Sequence, residues 1–352
     1  MACTRELLAS REYRTLGSRV AGVSRMSPVL SSRIPRRPAS LPGDLWGLVA
    51  FFNPMQYANK LPHLRRFSER VRRQGLRLLI IEMAYDDSPF DVADDLADLV
   101  VRVRTDAVLW QRERLLNIGL AALPSSCDKV VWVDADLLFE NDDWVAQTRA
   151  LLEEFVVVQP FESACWLPRG AVDPVAVPGS TTKPGAAATM AAHDDWPKAL
   201  SNYLAHGHTG FGWAFRRSVL DRHGYYDGLI VGGADVVMMH AIYGDDRFFA
   251  GHNWYSRRLT PGILRHAAEW SRGFLPDVGA SVAYTPGTVM HLWHGDVEAR
   301  RYVERLEMLR RADFDPESDI ALNADGCWTW RSAKPDLHRQ LREYFAARRE
   351  DG

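Results

Sequence analysis

Cysteine is scarce in this chain: four in 352 residues (Cys3, Cys127, Cys165, Cys327), far apart and with no CxxC pair. That pattern, at this length, excludes a small disulfide-stapled scaffold and reads as buried, reduced thiols of a cytoplasmic protein. Long apolar runs are also missing. With no stretch of about 18 uninterrupted apolar residues, an integral membrane segment is not expected. Neither sign of charge is in excess, since 43 Lys+Arg oppose 45 Asp+Glu for a formal charge of -2. This argues against a nucleic-acid or polyanion binder, which would carry a basic surplus. What the chain does have is a globular composition, 47% hydrophobic and 25% charged, with a high count of 12 Trp beside 11 Tyr and 14 Phe. At about 150 residues per domain, the length suits one large or two modest domains with ample core.

Residues 1–44 stand apart: the first 40 hold eight Arg and two Glu with scattered Ser and Pro, and read as a basic N-terminal extension without ordered structure. From Leu45 the texture is regular. Apolar runs at Leu45–Phe52, Arg77–Glu82, Leu99–Val103 and Lys129–Val133 read as strands, and Tyr57–Gln74 and Trp110–Leu123 as the helices between them. Strands alternating with helices predict an α/β fold whose central sheet is mostly parallel and covered on both faces. Residues 159–197 shift to Pro, Gly, Ala and Thr and read as a long loop, a functional lid or disordered segment. Beyond it the pattern predicts an apolar run at Gly210–Phe215, helices at Arg217–His223 and Asp235–Tyr243, one strand over Val282–Leu292, and a helix at Glu298–Arg311. The domain is thus set at 45–311. Residues 312–352, Trp-containing and ending in the helix Pro335–Arg349, pack on it, either as a cap over the active site or as a surface appendage.

The strongest local signal is Val130-Val131-Trp132-Val133-Asp134-Ala135-Asp136. An apolar strand ending in two acids one residue apart puts both carboxylates at the carboxyl end of the sheet, where open α/β folds bind ligands. Alternate residues of an extended stretch share a face, so Asp134 and Asp136 can converge on one hard cation, Mg²⁺ or Mn²⁺. A solvated strand end would look the same taken alone. His291-Leu292-Trp293-His294 adds two imidazoles at the end of another expected strand. Gly232-Gly233-Ala234-Asp235 adds a carboxylate after two glycines at a helix start, as a ligand-facing acid or as a helix N-cap.

In this order the motifs resemble the inverting nucleotide-sugar glycosyltransferases of GT-A fold, broadly the bacterial family 2 type. Local similarity to the animal β-1,4-galactosyltransferases lies in Trp110-Gln111-Arg112-Glu113-Arg114-Leu115-Leu116-Asn117-Ile118-Gly119, Asp134-Ala135-Asp136 and Val231-Gly232-Gly233-Ala234-Asp235. The resemblance spans roughly residues 45–300. It implies a GT-A, Rossmann-like sheet; a metal site of Asp134, Asp136 and either His291 or His294; and Asp235 as the catalytic base. Donor contacts are implied at Asn53, Pro54, Glu82, Trp110, Arg112, Asn117 and Asp134. The Gly-rich run with Gly210, Gly212 and Trp213, together with Gly232 and Gly233, is implied to line the donor sugar and acceptor. Two departures, Ala234 for an acid and Val231 for an aromatic, fall on the acceptor side, so acceptor identity does not transfer.

The expected activity is metal-dependent transfer of a sugar from a nucleotide-diphosphate donor, UDP-sugar favoured, to a hydroxyl of a glycan, lipid-linked or protein acceptor, with Mn²⁺ or Mg²⁺ as cofactor. Asp235 would take the acceptor proton while the cation stabilises the leaving diphosphate. Two other readings remain: a non-catalytic carbohydrate-binding protein on the same scaffold, for which Ala234 speaks, and a sugar-phosphate nucleotidyltransferase. The latter would bring a Gly-rich phosphate loop after the first strand, where this chain has only Asn53-Pro54-Met55-Gln56.

Overall fold

A computed structural model describes residues 34–352 apart from 194 and 204; the expectation for the N-terminal extension falls mainly on 1–33 and lies outside the described residues. The central sheet has seven strands: β1 (Asp44–Phe52), β2 (Arg77–Tyr85), β3 (Leu99–Thr105), β4 (Cys127–Val133), β6 (Val157–Gln159), β9 (Gly212–Arg216) and β10 (Val282–Tyr284). Their order is β10-β6-β9-β4-β1-β2-β3, with β9 antiparallel to both neighbours and the other pairings parallel. This is the α/β, mostly parallel sheet the alternating pattern predicts.

Burial on both faces explains the unbroken apolar runs. Leu48, Leu79, Ile81 and Trp132 enter one core layer, while Val49, Leu78, Ile80 and Val131 enter the layer on the opposite face. Helix α1 (Lys60–Arg73) covers the second layer through Leu64, Phe67 and Val71, spaced three and four apart. Helix α2 (Arg112–Ala122) covers the first through Leu115, Leu116 and Leu120.

A second, four-stranded sheet contains β5 (Leu137–Phe139), β7 (Ser163–Trp166), β8 (Thr181–Pro184) and β11 (Thr288–His291) in the order β5-β11-β7-β8. It corrects two expectations. Residues 159–197 are not one long loop: they contain β7, β8 and the helix Ala186–Ala192. Val282–Leu292 is not one strand: β10 joins the central sheet and β11 the smaller one, with the break at Thr285-Pro286-Gly287, where proline lacks an N–H for the ladder and Gly287 has φ 109°. The expected helix at Glu298–Arg311 is likewise divided into a 3₁₀ turn, Val297–Arg300, and the helix Glu304–Arg311, parted by Arg301 at φ 47°.

The described residues before β1 pack onto the domain. Arg37 and Ala39 donate backbone N–H bonds to Glu154 and Glu153, and Lys129, fully buried, bonds the Leu41 and Gly43 carbonyls and Asp128. The extension expected over 1–44 is therefore shorter at its inner end. At the other end, Leu337, Leu341, Tyr344 and Phe345 of the helix Pro335–Ala347 join the main core. The described cysteines Cys127, Cys165 and Cys327 are buried free thiols. Among the described residues no helix is long and apolar enough to cross a membrane.

Candidate active site at the carboxyl end of the sheet

β4 ends at Val133, and the chain carries Asp134 and Asp136 directly beyond it. A backbone bond from Leu292 N–H to the Asp136 carbonyl (2.9 Å) ties this segment to the end of β11, which brings His291 and His294 alongside. One ligand atom each from Asp136, His291 and His294 lies within 4.8 Å of the others. Asp136 Oδ2 is 2.9 Å from His294 Nε2, Asp136 Oδ1 is 3.8 Å from His291 Nε2, and the two Nε2 atoms are 3.0 Å apart. Neighbouring ligands about 2.1 Å from an octahedral cation stand about 3 Å apart, so the spacing fits one divalent ion held by all three. Asp136 Oδ1 is buried with no hydrogen-bond partner, which is also what a missing ligand partner leaves. Burial pushes the Asp136 carboxyl up, but His291 and His294 outweigh it and hold it well below the usual range. Burial also lowers His291, with the Asp136 charge opposing it. A carboxylate beside a neutral imidazole is the state metal binding requires.

The second cluster is built on Arg112, buried at the first turn of α2. Its guanidinium bonds Glu113 Oε1 (2.9 and 2.6 Å) and Asp134 Oδ1 (3.0 Å), lies 3.6 Å from Asp235 Oδ1, and stacks 4.4 Å over the Trp132 ring. Burial would lower its pKa, but the three carboxylates raise it, so it stays charged. Burial raises Asp134, with Arg112 opposing and Asp136 adding repulsion.

Asp235 sits in the first turn of the helix Ala234–Tyr243, where the macrodipole favours an anion. Gly233 is the N-cap, so Asp235 is not spent on capping. Its Oδ2 instead accepts a 2.6 Å bond from the Thr209 hydroxyl. Gly232 and Gly233 have φ 82° and 97°, and a Cβ at Gly233 would run into the Tyr255 hydroxyl. Those glycines serve the turn that presents Asp235.

Several sequence-predicted residues are occupied elsewhere. Asn117 is clamped by the Tyr225 backbone at both amide atoms (2.8 and 3.0 Å) and by Asp227, which corrects its assignment to the donor site. Trp213 is 1% exposed and donates its indole N–H to the Thr209 carbonyl, so it cannot stack on a sugar. Gly212 is a packing glycine, because a Cβ there would come 2.8 Å from the Trp132 carbonyl on β4. Gly210 does reach the site, its Cβ position lying 3.5 Å from Asp235 Oδ2. Asn53 folds both amide atoms onto Tyr57 and so shapes the turn after β1 that holds Pro54. Buried Glu82 accepts the Asp91 and Val92 N–H groups. Trp110 packs edge-on against Phe52 (5.3 Å) with Arg348 5.3 Å from its ring centre.

Other site residues were not singled out within the Gly-rich run or lay outside it. Thr209 and His208 belong to His206-Gly207-His208-Thr209-Gly210, whose paired histidines flanking glycine were the available signal. Phe211, at φ 74° and buried, stacks on His291 (4.8 Å) and packs edge-to-face on His208 (4.1 Å). A bulky residue in the left-handed region is strained, and such strain clusters at functional sites. Glu350, near the C-terminus, lies 3.6 Å from His294 Nδ1 and is held by Lys60 (3.0 Å) and Arg348 (2.5 Å). No local pattern announces it.

No family model matches the chain, and no curated protein matches it. Among solved structures it is similar to glucosyl-3-phosphoglycerate synthase from Mycobacterium tuberculosis (16% identity, 83% of this chain and 88% of that one, TM-score 0.37). It is similar to the catalytic domain of Drosophila β1,4-galactosyltransferase 7 (13%, 84% and 97%, 0.36). It is also similar to 4-diphosphocytidyl-2C-methyl-D-erythritol synthase from Anaerococcus prevotii (12%, 70% and 88%, 0.34). Likeness of this size assigns neither activity nor substrate.

Proposed function

We propose that this chain is a metal-dependent, inverting glycosyltransferase of GT-A type that moves a sugar from a nucleotide-diphosphate donor, UDP-sugar favoured, to an acceptor hydroxyl. The observation that carries the reading is the juxtaposition, at one end of one sheet, of a three-ligand cation site with a presented carboxylate, Asp235. Asp136, His291 and His294 would hold Mn²⁺ or Mg²⁺, with Asp134 beside them. When bound, such a cation acts as a Lewis acid on the diphosphate oxygens.

The residues of the chain divide the remaining work. Asp235 accepts the proton of the acceptor hydroxyl as that oxygen bonds to the anomeric carbon. The bond from that carbon to the diphosphate oxygen breaks on the opposite face, and its electron pair leaves with the nucleoside diphosphate. Thr209 and Arg112 orient Asp235 through Oδ2 and Oδ1. The acceptor is a glycan, lipid-linked or protein hydroxyl, and buried thiols with a balanced charge suit a cytoplasmic enzyme.

General-base catalysis contributes about 10² to 10⁴ in rate. In an Mn²⁺ reaction screened over nucleotide-sugar donors, Asp235→Asn is expected to lose at least about 100-fold in transfer while still binding donor. Retention of more than about a tenth of wild-type transfer would remove Asp235 as the base. The turn after β1, where Asn53 clamps Tyr57 and no glycine intervenes, offers no phosphate-cradling loop for a nucleotidyltransferase.

A further inference from the structure

Beside Asp235 is a group of side chains that the reaction above leaves unused; it borders the candidate metal ligands, since Trp166 pairs in register with His291 and Phe211 packs between His291 and His208. Lys183 lies on β8 and pairs in register with Ala164 of β7, while Thr181 pairs with Trp166. Alternate residues of a strand share a face, so Lys183 and Trp166 are diagonal neighbours on one face of this hairpin. Trp166 packs edge-to-face against the His208 ring at 4.8 Å. The backbone locks the two segments together, since His208 N–H bonds the Pro184 carbonyl (2.8 Å) and Ala186 N–H bonds the His208 carbonyl (3.0 Å). His208 Nε2 and Asp235 Oδ2 lie 3.2 and 3.5 Å from the point a Gly210 Cβ would occupy. Imidazole and carboxylate thus flank Gly210 together.

Several polar atoms of this group lack partners. His208 Nε2 is buried and makes no hydrogen bond, and neither does His206 Nε2 behind it. Lys183, partly buried, has no hydrogen bond or ion pair among the described residues, whereas the fully buried Lys129 bonds Asp128 and two carbonyls. A partly buried ammonium with no anion beside it favours an anionic ligand. Burial lowers Lys183 to about 8, and burial together with the Lys183 charge lowers His206 and His208 to about 3. The electrostatics therefore agree with the geometry.

We infer that Lys183, His208 and Trp166 form an acceptor subsite for an anionic group, so that the acceptor is a sugar-like molecule carrying a phosphate or carboxylate near its reacting hydroxyl. The inference rests on Asp235 being the base, so that the group facing its Oδ2 is what an acceptor meets. Lys183 supplies the ammonium, His208 Nε2 a further hydrogen bond, and Trp166 an apolar wall against which a ring can lie.

The test is calorimetric binding of three matched probes, a hexose 6-phosphate, the corresponding uronate and the neutral hexose, with metal chelated and no nucleotide present. At least one anionic probe should bind at least tenfold more tightly than the neutral hexose, and which one does so separates phosphate from carboxylate. Lys183→Met should erase that advantage and Lys183→Arg should keep part of it. Because the Lys183 ammonium makes no hydrogen bond or ion pair among the described residues, the methionine variant is expected to fold, which its melting temperature checks. Equal binding of all three, no binding by either anion, or an advantage intact in Lys183→Met overturns the inference. The donor reading fails separately, if Mn²⁺ with UDP does not bind the wild type while the anionic probes do.

Discussion

Arg112 shows how a single side chain holds this site together. One guanidinium compensates Glu113, Asp134 and Asp235, all within 3.6 Å. Removing one partner of a buried ionic network leaves uncompensated charge and costs roughly 3–5 kcal/mol. Arg112→Met should therefore lower unfolding free energy by about that amount in urea denaturation. A loss under about 1 kcal/mol would mean the acids are solvated or protonated instead. Lys183 gives a prediction of opposite sign. Its pKa falls from 10.5 unfolded to about 8 folded, so the unfolded state binds more protons between those values and stability gains as pH rises through that range. Relative to wild type, Lys183→Met should be more stable at pH 7, and the gap should close as pH rises from about 8 to 10.5 in paired thermal melts.

Candidate residues were legible where chemistry and chain position coincide. Asp136 at a strand end, His291 and His294 at another, and Asp235 at a helix start could all be named from local pattern, and the fold brings them to one end of the sheet. Asn117 and Trp213 could not be judged that way, because what they touch, Tyr225 and the Thr209 carbonyl, is decided by packing.

Elements followed the same division. β1, β2 and β4 are long apolar runs buried on both faces and could be read directly. β7 and β8 are four residues each, and β8, Thr181–Pro184, is polar and largely exposed; pairing, not hydrophobic pattern, makes them strands. Their position matters, because β8 carries Lys183. The C-terminal segment is the other element with consequences. After the helix Pro335–Ala347 the chain lays Arg348 and Glu350 against the loop that carries His294, where a Cβ on Gly295 would strike the Arg348 carbonyl. Glu350 stands at the His294 nitrogen turned away from Asp136, the usual place for a carboxylate that orients a metal-binding imidazole. Glu350→Gln should weaken Mn²⁺ binding about 10- to 100-fold, measured by calorimetry. Unchanged affinity would reduce this segment to a packing appendage.

For the whole molecule, the balanced charge conceals local sorting. Acids gather at Asp134, Asp136 and Asp235, cations at Arg112 and Lys183, and the site forms where the central sheet meets the four-stranded one. Among the described residues, Trp132 and Trp213 lie in the core, while Trp166 packs against His208. The most direct measurement is calorimetric titration of UDP, and of GDP, CDP and ADP in parallel, into wild type and Asp136→Asn, with Mn²⁺ and with EDTA. The account predicts that at least one nucleoside diphosphate binds wild type only with Mn²⁺, and that Asp136→Asn loses that binding at least tenfold. Binding that ignores the metal, or that survives intact in Asp136→Asn, would contradict it.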